Sequence, residues 1–308
     1  MCTTTVFTPT YNRAYILGEL YKSLQQQTTY QFEWLIVDDG STDDTNEIVS
    51  KWIKEENRFP IHYFKKENGG KHRAINFALQ YAHGEYFFIV DSDDCLVPDA
   101  IETISKQMKT LPTDGYKKYA GICNCRGYSP TEIMGTSFEG DYIDCTSLER
   151  EKYGITGDKA EVFYTEIMRQ YPFPEFDGEK FITECVVWDK MAADGYYLRY
   201  FNIITYLCEY RDDGLTMKGL DLFYRNPQGY GYTLRLARQY KKYSKPMSDY
   251  LDAECYLHWK KEMSPSEIAT LIGTTWNRLL YITLIHYIRD KACKIKHKIK
   301  SIAGGASY

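Results

Sequence analysis

Three clusters of polar residues follow apolar runs, and each could do chemistry. Asp91-Ser92-Asp93 follows Tyr86 to Val90. Two carboxylates one residue apart can approach one hard divalent cation, such as Mg²⁺ or Mn²⁺ shared with substrate phosphates. The same triplet could instead be a solvated acidic turn capping a helix. Asp38-Asp39-Gly40-Ser41 follows Trp34-Leu35-Ile36-Val37. A carboxylate there can accept hydrogen bonds from a base or a ribose, or it can cap the next helix. Ser41 and Thr42 could supply that cap themselves and leave Asp39 to a ligand. Thr8-Pro9-Thr10-Tyr11-Asn12-Arg13 ends the first apolar run. A fourth segment, Gly69-Gly70-Lys71-His72-Arg73, precedes a helical pattern. Its glycines permit close backbone approach, and a helix N-terminus with Lys71 and Arg73 suits a diphosphate. A plain loop with solvated charges is the other reading.

The elements that carry these clusters alternate. Thr4 to Thr8 predicts a strand that Pro9 stops. Ala14 to Gln27 has apolar residues at helical spacing, as does Asp43 to Lys54. Trp34 to Val37, Ile61 to Phe64 and Tyr86 to Val90 predict strands, and Lys71 to Ala82 a helix between the last two. Fully apolar strands predict a mostly parallel sheet with helices on both faces, an α/β class. Ligands of such sheets bind beyond the carboxyl ends of the strands, so the polar clusters should line one crevice. Farther on, Tyr119 to Cys125 and Tyr200 to Tyr210 predict strands, and Glu184 to Ala193 a helix. Residues 126 to 160 read as loop-rich, and the pattern turns helical and basic from Pro227.

These blocks, in this order, resemble the inverting family 2 glycosyltransferases of the GT-A fold. The matching segments are Thr8 to Arg13, Val37-Asp38-Asp39-Gly40-Ser41-Thr42-Asp43, Asn68-Gly69-Gly70 and Asp91-Ser92-Asp93. The resemblance covers residues 1 to about 100 closely and extends to about 216. It implies a catalytic domain over 1–216, with a donor half (1–118) and an acceptor half (119–216), and a helical extension over 217–308. It implies a nucleotide-sugar donor, usually of the UDP type, and a sugar or lipid-linked acceptor in polysaccharide or glycolipid synthesis. Pro9, Tyr11 and Arg13 would form the nucleoside pocket, and Asp39 would contact uracil. Gly70, Lys71 and Arg73 would lie near the diphosphate, and Asp91 and Ser92 on the donor. Asp93, with Asp91, would hold Mn²⁺ or Mg²⁺.

Family members commonly carry Thr-Glu-Asp at a helix start, with Asp as the base. Here the triplet is Thr183-Glu184-Cys185. Glu184 is therefore the expected base, with Asp177 and Glu179 in reserve. Its other reading is a helix cap, since acidic residues favour the first turn. Direct displacement would invert the anomeric carbon. Residues 209 to 216 could form a lid over the donor or a polar loop.

Composition narrows the alternatives. The chain has 308 residues, 44% apolar and 26% charged. That is an ordinary globular mixture and excludes a disordered, collagen-like or coiled-coil chain. A net charge of −4 gives no footprint for nucleic acid. The nine cysteines are odd in number and scattered, which fits a reduced compartment. Cys123 and Cys125 could bind metal but read better as buried strand residues. No leader pattern and no run of ~20 apolar residues occurs, so a cytoplasmic chain is expected. Arg289, Lys291, Lys294, Lys296, Lys298 and Lys300 follow an apolar segment, Leu279 to Ile288. That tail could lie on the anionic inner face of a membrane, or be a solvated helix end. Two competing functions remain: a haloacid-dehalogenase-type phosphatase with Asp91 as nucleophile, and a sugar-nucleotide-binding subunit without catalysis.

Overall fold

The computed structural model describes residues 3–55, 57–113, 117–208, 214 and 219–288. The chain forms two compact units, Met1–Lys218 and Gly219–Tyr308. The first unit is built on one sheet. Four parallel strands come first: β1 (Thr4–Thr10), β2 (Phe32–Asp38), β3 (Ile61–Lys65) and β4 (Tyr86–Ile89). β5 (Cys95–Leu96), β6 (Lys118–Ser129), β7 (Glu132–Ile133), β8 (Tyr142–Cys145), β9 (Lys159–Tyr164) and β10 (Tyr196–Leu207) complete it. The order is β3-β2-β1-β4-β9-β6-β10-β5. β9 runs antiparallel to both β4 and β6, whereas β10 runs parallel to β6. The sheet is therefore mixed, with β3-β2-β1-β4 parallel, as the apolar strands predict.

Helices cover both faces. Leu17, Leu20 and Leu24 of α1 (Leu17–Gln25), Val49 of α2 (Thr45–Lys54) and Ile101 and Ile104 of α4 (Ala100–Met108) pack in one core with Val6, Ile36 and Phe88. Phe7 and Phe87 alternate to the other face and stack there with centroids 5.4 Å apart. On that face Trp188 of α6 (Cys185–Ala193) stacks on Phe163 at 4.3 Å. The helix α3 (Lys71–Ala78) links β3 to β4, and α5 (Thr165–Gln170) follows β9. Strand order runs β1, β2, β3 outward and then returns to β4 beside β1. With right-handed crossovers, that reversal puts α3 on the face opposite α1 and α2. It also makes the β1/β4 boundary a topological switch point.

One expectation is corrected here. Pro9 does not stop β1, which continues to Thr10 with Pro9 opposite Val37. The Phe7 carbonyl accepts from Val90 N at 2.8 Å, whereas the Thr10 carbonyl faces β2 and accepts from Asp39 N at 2.8 Å. By alternation Pro9 lacks an N–H only on the β4 side, where the β1–β4 ladder ends at Phe7 and Ile89. Residues 126 to 160 are loop-rich as expected, with short strand pieces set among the loops: the end of β6, then β7, β8 and the start of β9. Strand β9 escapes the pattern because Lys159 and Glu161 occupy positions inside a central strand.

The second unit is helical: α7 (Gly219–Tyr224), α8 (Pro227–Gln239), α9 (Lys245–Trp259), α10 (Pro265–Ile272) and α11 (Trp276–Ile288). Tyr230, Leu234, Cys255, Trp259, Ile268, Ile272 and Leu279 form its core. Ser264 and Glu267 form a capping box that starts α10. Among the described residues no single helix is long and apolar enough to cross a membrane; α10 and α11 pass that test only as a pair bent by 97°.

Candidate active site

The β1–β4 pairing ends at Phe7 and Ile89, and a charged cluster gathers about the turn that follows β4. Asp91 and Asp94 belong to the turn after β4, in which Asp94 N donates to the Asp91 carbonyl at 3.2 Å. The hydroxyl of the fully buried Tyr206, on β10, ties this turn down. It accepts from Asp91 N at 2.9 Å and donates to Asp94 Oδ2 at 2.6 Å. The Arg126 guanidinium, from β6, lies 4.3 Å from the Tyr206 ring. Its Nε donates to the Lys159 carbonyl at 2.9 Å. Its Nη1 stands 3.8 Å from Asp91 Oδ2 and 3.9 Å from Asp94 Oδ2. Arg13 stands 3.8 Å from Asp93 Oδ2.

The carboxyls of the turn differ in their acidity. Burial opposes ionisation of Asp91, but Lys71 and Arg126 outweigh it and hold the group below its usual range. Burial and the neighbouring Asp91 charge push Asp94 up to about 7. Two carboxyls this close divide into one that is charged and one that is held back.

Lys71 joins this cluster to Glu184 at the start of α6. Its Nζ is 2.5 Å from Asp91 Oδ1 and 2.7 Å from Glu184 Oε1. Burial would lower the lysine, but the two carboxylates raise it above its ordinary value. Lys71 is the first residue of α3, and Glu184 is the N-cap of α6 with no side-chain cap bond. The helix-cap reading of Glu184 therefore has no hydrogen bond behind it. Glu161, on β9, also belongs to this region. Burial raises its carboxyl, Arg126 and Arg150 lower it, and Glu184 raises it further.

Asp39 is spent on the protein itself. Its Oδ1 accepts from Lys66 Nζ at 2.7 Å and Gly69 N at 2.9 Å. Its Oδ2 accepts from Gly70 N at 2.7 Å and Asn68 Nδ2 at 3.2 Å. Gly70 has φ +95, and a Cβ there would lie 1.9 Å from the Lys180 carbonyl oxygen. The glycines of this block thus seat the 68–70 loop between Asp39 and the 180 backbone. Asp38 is likewise engaged, by Ser41 N at 2.6 Å and the Tyr63 hydroxyl at 2.5 Å. Ser41 and Thr42 do not cap α2; they hold the left-handed Asn12 turn, with Asn12 N on Ser41 Oγ and Thr42 N on Asn12 Oδ1, both at 2.8 Å. Asp43 takes the start of α2, accepting from Thr45 N at 3.1 Å.

Several expected residues meet here. Arg13, Lys71, Asp91, Asp93 and Glu184 form one linked set. Ser92 is buried within it, Pro9 is half-buried at the end of β1, and Tyr11 is exposed beside the Asn12 turn. Arg73 is placed differently. Its guanidinium donates to the carbonyls of Gly69, Phe176 and Glu179 and to Glu175 Oε2, so it fastens the 173–180 loop. Asp177 is exposed, and Glu179 is buried. Cys123 and Cys125 are buried strand residues whose thiols burial pushes up. The segment 209–216, apart from Gly214, and the basic tail lie outside the described residues. Sequence reasoning missed Tyr206, Arg126, Glu161 and the distinct role of Asp94. Only Asp94 carried a signal, as the fourth member of the acidic run.

The comparisons bear on this geometry. The family model of glycosyl transferase family 2 matches residues 5–158, half of the chain. The chain belongs to that family. The match takes in β1 through the turn after β4 and all of β6, and it removes the phosphatase reading. Among curated relatives, the Campylobacter jejuni GalNAc(5)-diNAcBac-PP-undecaprenol beta-1,3-glucosyltransferase is 26% identical over 82% of this chain and 81% of its own. Glycosyltransferase GlyG of Streptococcus pneumoniae is 36% identical over 35% of this chain, and the match spans only 36% of GlyG. The solved structure of Staphylococcus aureus TarS 1–349 with UDP-GlcNAc has a TM-score of 0.60 at 22% identity, over 84% of this chain and 73% of that one. The mannosyltransferase PcManGT of Pyrobaculum calidifontis, with GDP-Man and Mn²⁺, has a TM-score of 0.56 at 20% identity, over 97% and 80%. The fold of this family 2 chain is thus that of the GT-A glycosyltransferases.

Proposed function

We propose that this glycosyltransferase moves a sugar from a UDP-sugar to an acceptor hydroxyl with inversion, in the synthesis of a cell-surface polysaccharide or glycolipid. The observation that carries the reading is Lys71, which bridges Asp91 and Glu184 at the switch point. It puts a carboxylate for the acceptor one ammonium away from a carboxylate for the donor. The UDP-GlcNAc held by the TarS structure supports the UDP donor. The undecaprenol-linked name of the Campylobacter relative supports a lipid-linked acceptor. In this reading 1–216 is the catalytic domain, with donor and acceptor halves 1–118 and 119–216, and 217–308 is an extension.

The donor set fits a hard divalent cation. Asp93 makes a long 3.8 Å ion pair with Arg13, so its oxygens retain acceptor capacity. Asp93, with Asp91, would hold Mn²⁺ or Mg²⁺, which when bound supplies positive charge beside the diphosphate. Lys71 has three N–H donors and spends two on Asp91 and Glu184, leaving one for a donor oxygen. Pro9, Tyr11, Arg13 and Ser92 border the nucleoside side. Asp39 acts there through the 68–70 loop that it holds. Arg73 has no donor role in this reading. Glu184 accepts the proton of the acceptor hydroxyl as its oxygen attacks C1. The bond from C1 to the diphosphate oxygen breaks, and the nucleoside diphosphate leaves.

Peripheral attachment to an anionic inner membrane face is part of the proposal. Tyr281, Leu284, Tyr287 and Ile288 of α11 are exposed at helical spacing, immediately before the basic residues 289–300. Cosedimentation with anionic vesicles at low salt tests this, and failure to bind removes it. The catalytic reading is tested by nucleoside diphosphate release from a panel of UDP-sugars and GDP-Man with Mn²⁺, with and without EDTA. Release from one UDP-sugar, abolished by EDTA and by Asp93→Ala, and lost in Glu184→Gln with acceptor present, is expected. Donor binding with no turnover in any arm supports the binding-subunit reading instead.

A further inference from the structure

A second cluster of ligating side chains lies at the other end of the sheet. We propose that Glu33, His62 and His83 form a binding site for a divalent transition-metal ion of the zinc class, separate from the carboxylates of the active site. Glu33 is near the start of β2 and Asp39 lies just past its end. At about 3.3 Å per residue the two are roughly 20 Å apart.

The donor atoms already stand at ligand spacing. Glu33 Oε2 is 3.3 Å from His62 Nε2 and 3.0 Å from His83 Nδ1. One ligand atom from each residue lies within 4.8 Å of the others. A tetrahedral ion with bonds of about 2.1 Å has ligand atoms about 3.4 Å apart. The observed separations are close to that edge. Two imidazoles and one carboxylate suit zinc, copper or nickel and not Mg²⁺.

The site is also built, and not merely assembled from surface side chains. Glu33 is 3% exposed, an unusual burial for a carboxylate. Its Oε1 accepts from Thr5 Oγ1 at 2.5 Å, His83 N at 2.7 Å and Gly84 N at 3.3 Å. Those bonds fix the carboxylate and leave Oε2 turned to the imidazoles, the arrangement in which outer partners orient a ligand. Gly84 locks the other side. A Cβ there would lie 2.3 Å from Thr5 N, so only glycine lets residue 83 approach β1. The His62 and His83 side chains are 39% and 68% exposed, which gives an ion an entry path and a water a fourth position. The ion would clip β2, β3 and the turn before β4 together, so its binding free energy adds to folding.

The test uses the full chain without an affinity tag. Zn²⁺ alone is titrated against a chromophoric chelator for the wild type, Asp93→Ala, His62→Ala and His83→Ala. One equivalent held equally by wild type and Asp93→Ala is expected, with affinity falling at least about tenfold in each histidine variant. Excess Zn²⁺ should raise Tm by a few degrees in the wild type and not in His83→Ala. Both histidines are partly exposed, so the variants should fold, and circular dichroism checks this. Crystals grown with Zn²⁺ should show anomalous scattering between the three residues. Absence of uptake by the wild type, or uptake unchanged in both histidine variants, would overturn the proposal and leave the imidazoles as ion-pair partners of Glu33.

Discussion

Acidification should destabilise the first unit, Met1–Lys218, through His72, and the size of the effect can be worked out. His72 is the second residue of α3, between Lys71 and Arg73, and is 3% exposed. Its Nδ1 is buried with no hydrogen-bond partner. Burial first, and the Arg73 charge second, lower the imidazole from 6.5 to about 4. The native state therefore keeps the ring neutral where the unfolded chain protonates it. A group with a depressed native pKa contributes stability above its unfolded value and loses it as pH falls toward the native value. The window is thus pH 6.5 down to about 4. The loss is about 2 kcal/mol by pH ~5 and approaches ~3 kcal/mol at pH ~4. For a unit of this size ~2 kcal/mol lowers Tm by about 4–8 °C. Urea and thermal unfolding of wild type and His72→Gln at pH 7.5 and pH 5 isolate the term, because every other titration is shared. The stability gap between the two proteins should change by ~2 kcal/mol in disfavour of the wild type. A gap that stays constant within ~0.5 kcal/mol would refute the reasoning and mean that His72 finds a proton acceptor on acidification.

Three further outcomes follow from the site. Lys71→Met removes the cation between Asp91 and Glu184; kcat for diphosphate release should fall roughly 10²–10³-fold while the circular dichroism spectrum is kept. Tyr206→Phe keeps the ring under Arg126 but deletes the hydroxyl shared by Asp91 N and Asp94. Its urea midpoint should report a loss of about 1–3 kcal/mol, and a neutral result would show that the hydroxyl does not hold the turn. Gly70→Ala forces a Cβ to 1.9 Å from the Lys180 carbonyl at φ +95, so Tm should drop by the equivalent of about 3 kcal/mol, read by calorimetry.

Much of the parallel half of the sheet was legible in the sequence because β1, β2 and β4 are buried along most of their length. A continuous apolar run as short as Trp34 to Val37, closed by Asp38-Asp39-Gly40, suits a covered strand better than a helix. The polar residues that follow them must then stand at the carboxyl edge, whatever their partners. Contacts between distant elements carry no such local mark. Strand β9 is central, yet Lys159 and Glu161 break its apolar pattern because their charges face Arg126, Arg150 and the Cys125 thiol. Tyr206 looks like one tyrosine among 29. Its role depends on β10 arriving beside β6, which the periodicity does not encode. Asp39 and Arg73 show the converse limit: residue type suggested a ligand, and it gave no sign that both also hold loops.

The charge arrangement at the switch point accounts for how a ligand could enter so polar a site. Asp91, Asp93, Asp94 and Glu184 face Arg13, Lys71 and Arg126. The two arginines stop at 3.8–3.9 Å from the carboxylates, outside hydrogen-bond distance. Arg126 is held there by the Lys159 carbonyl and the Tyr206 ring, and Arg13 by the Tyr15 hydroxyl. Each guanidinium therefore lowers the field of the acidic cluster without filling the carboxylate lone pairs. Lys71 makes the closest ion pairs among the described residues of this cluster, with Asp91 on one side and Glu184 on the other. In the proposed mechanism Asp93 and Asp91 would hold a divalent cation, and Lys71 would offer its remaining N–H to the diphosphate while it pairs with Asp91 and Glu184. Because Lys71 also pairs with Glu184, a donor at this ammonium would, in the proposed mechanism, change the charge beside the proposed base and couple the occupancy of the two sides.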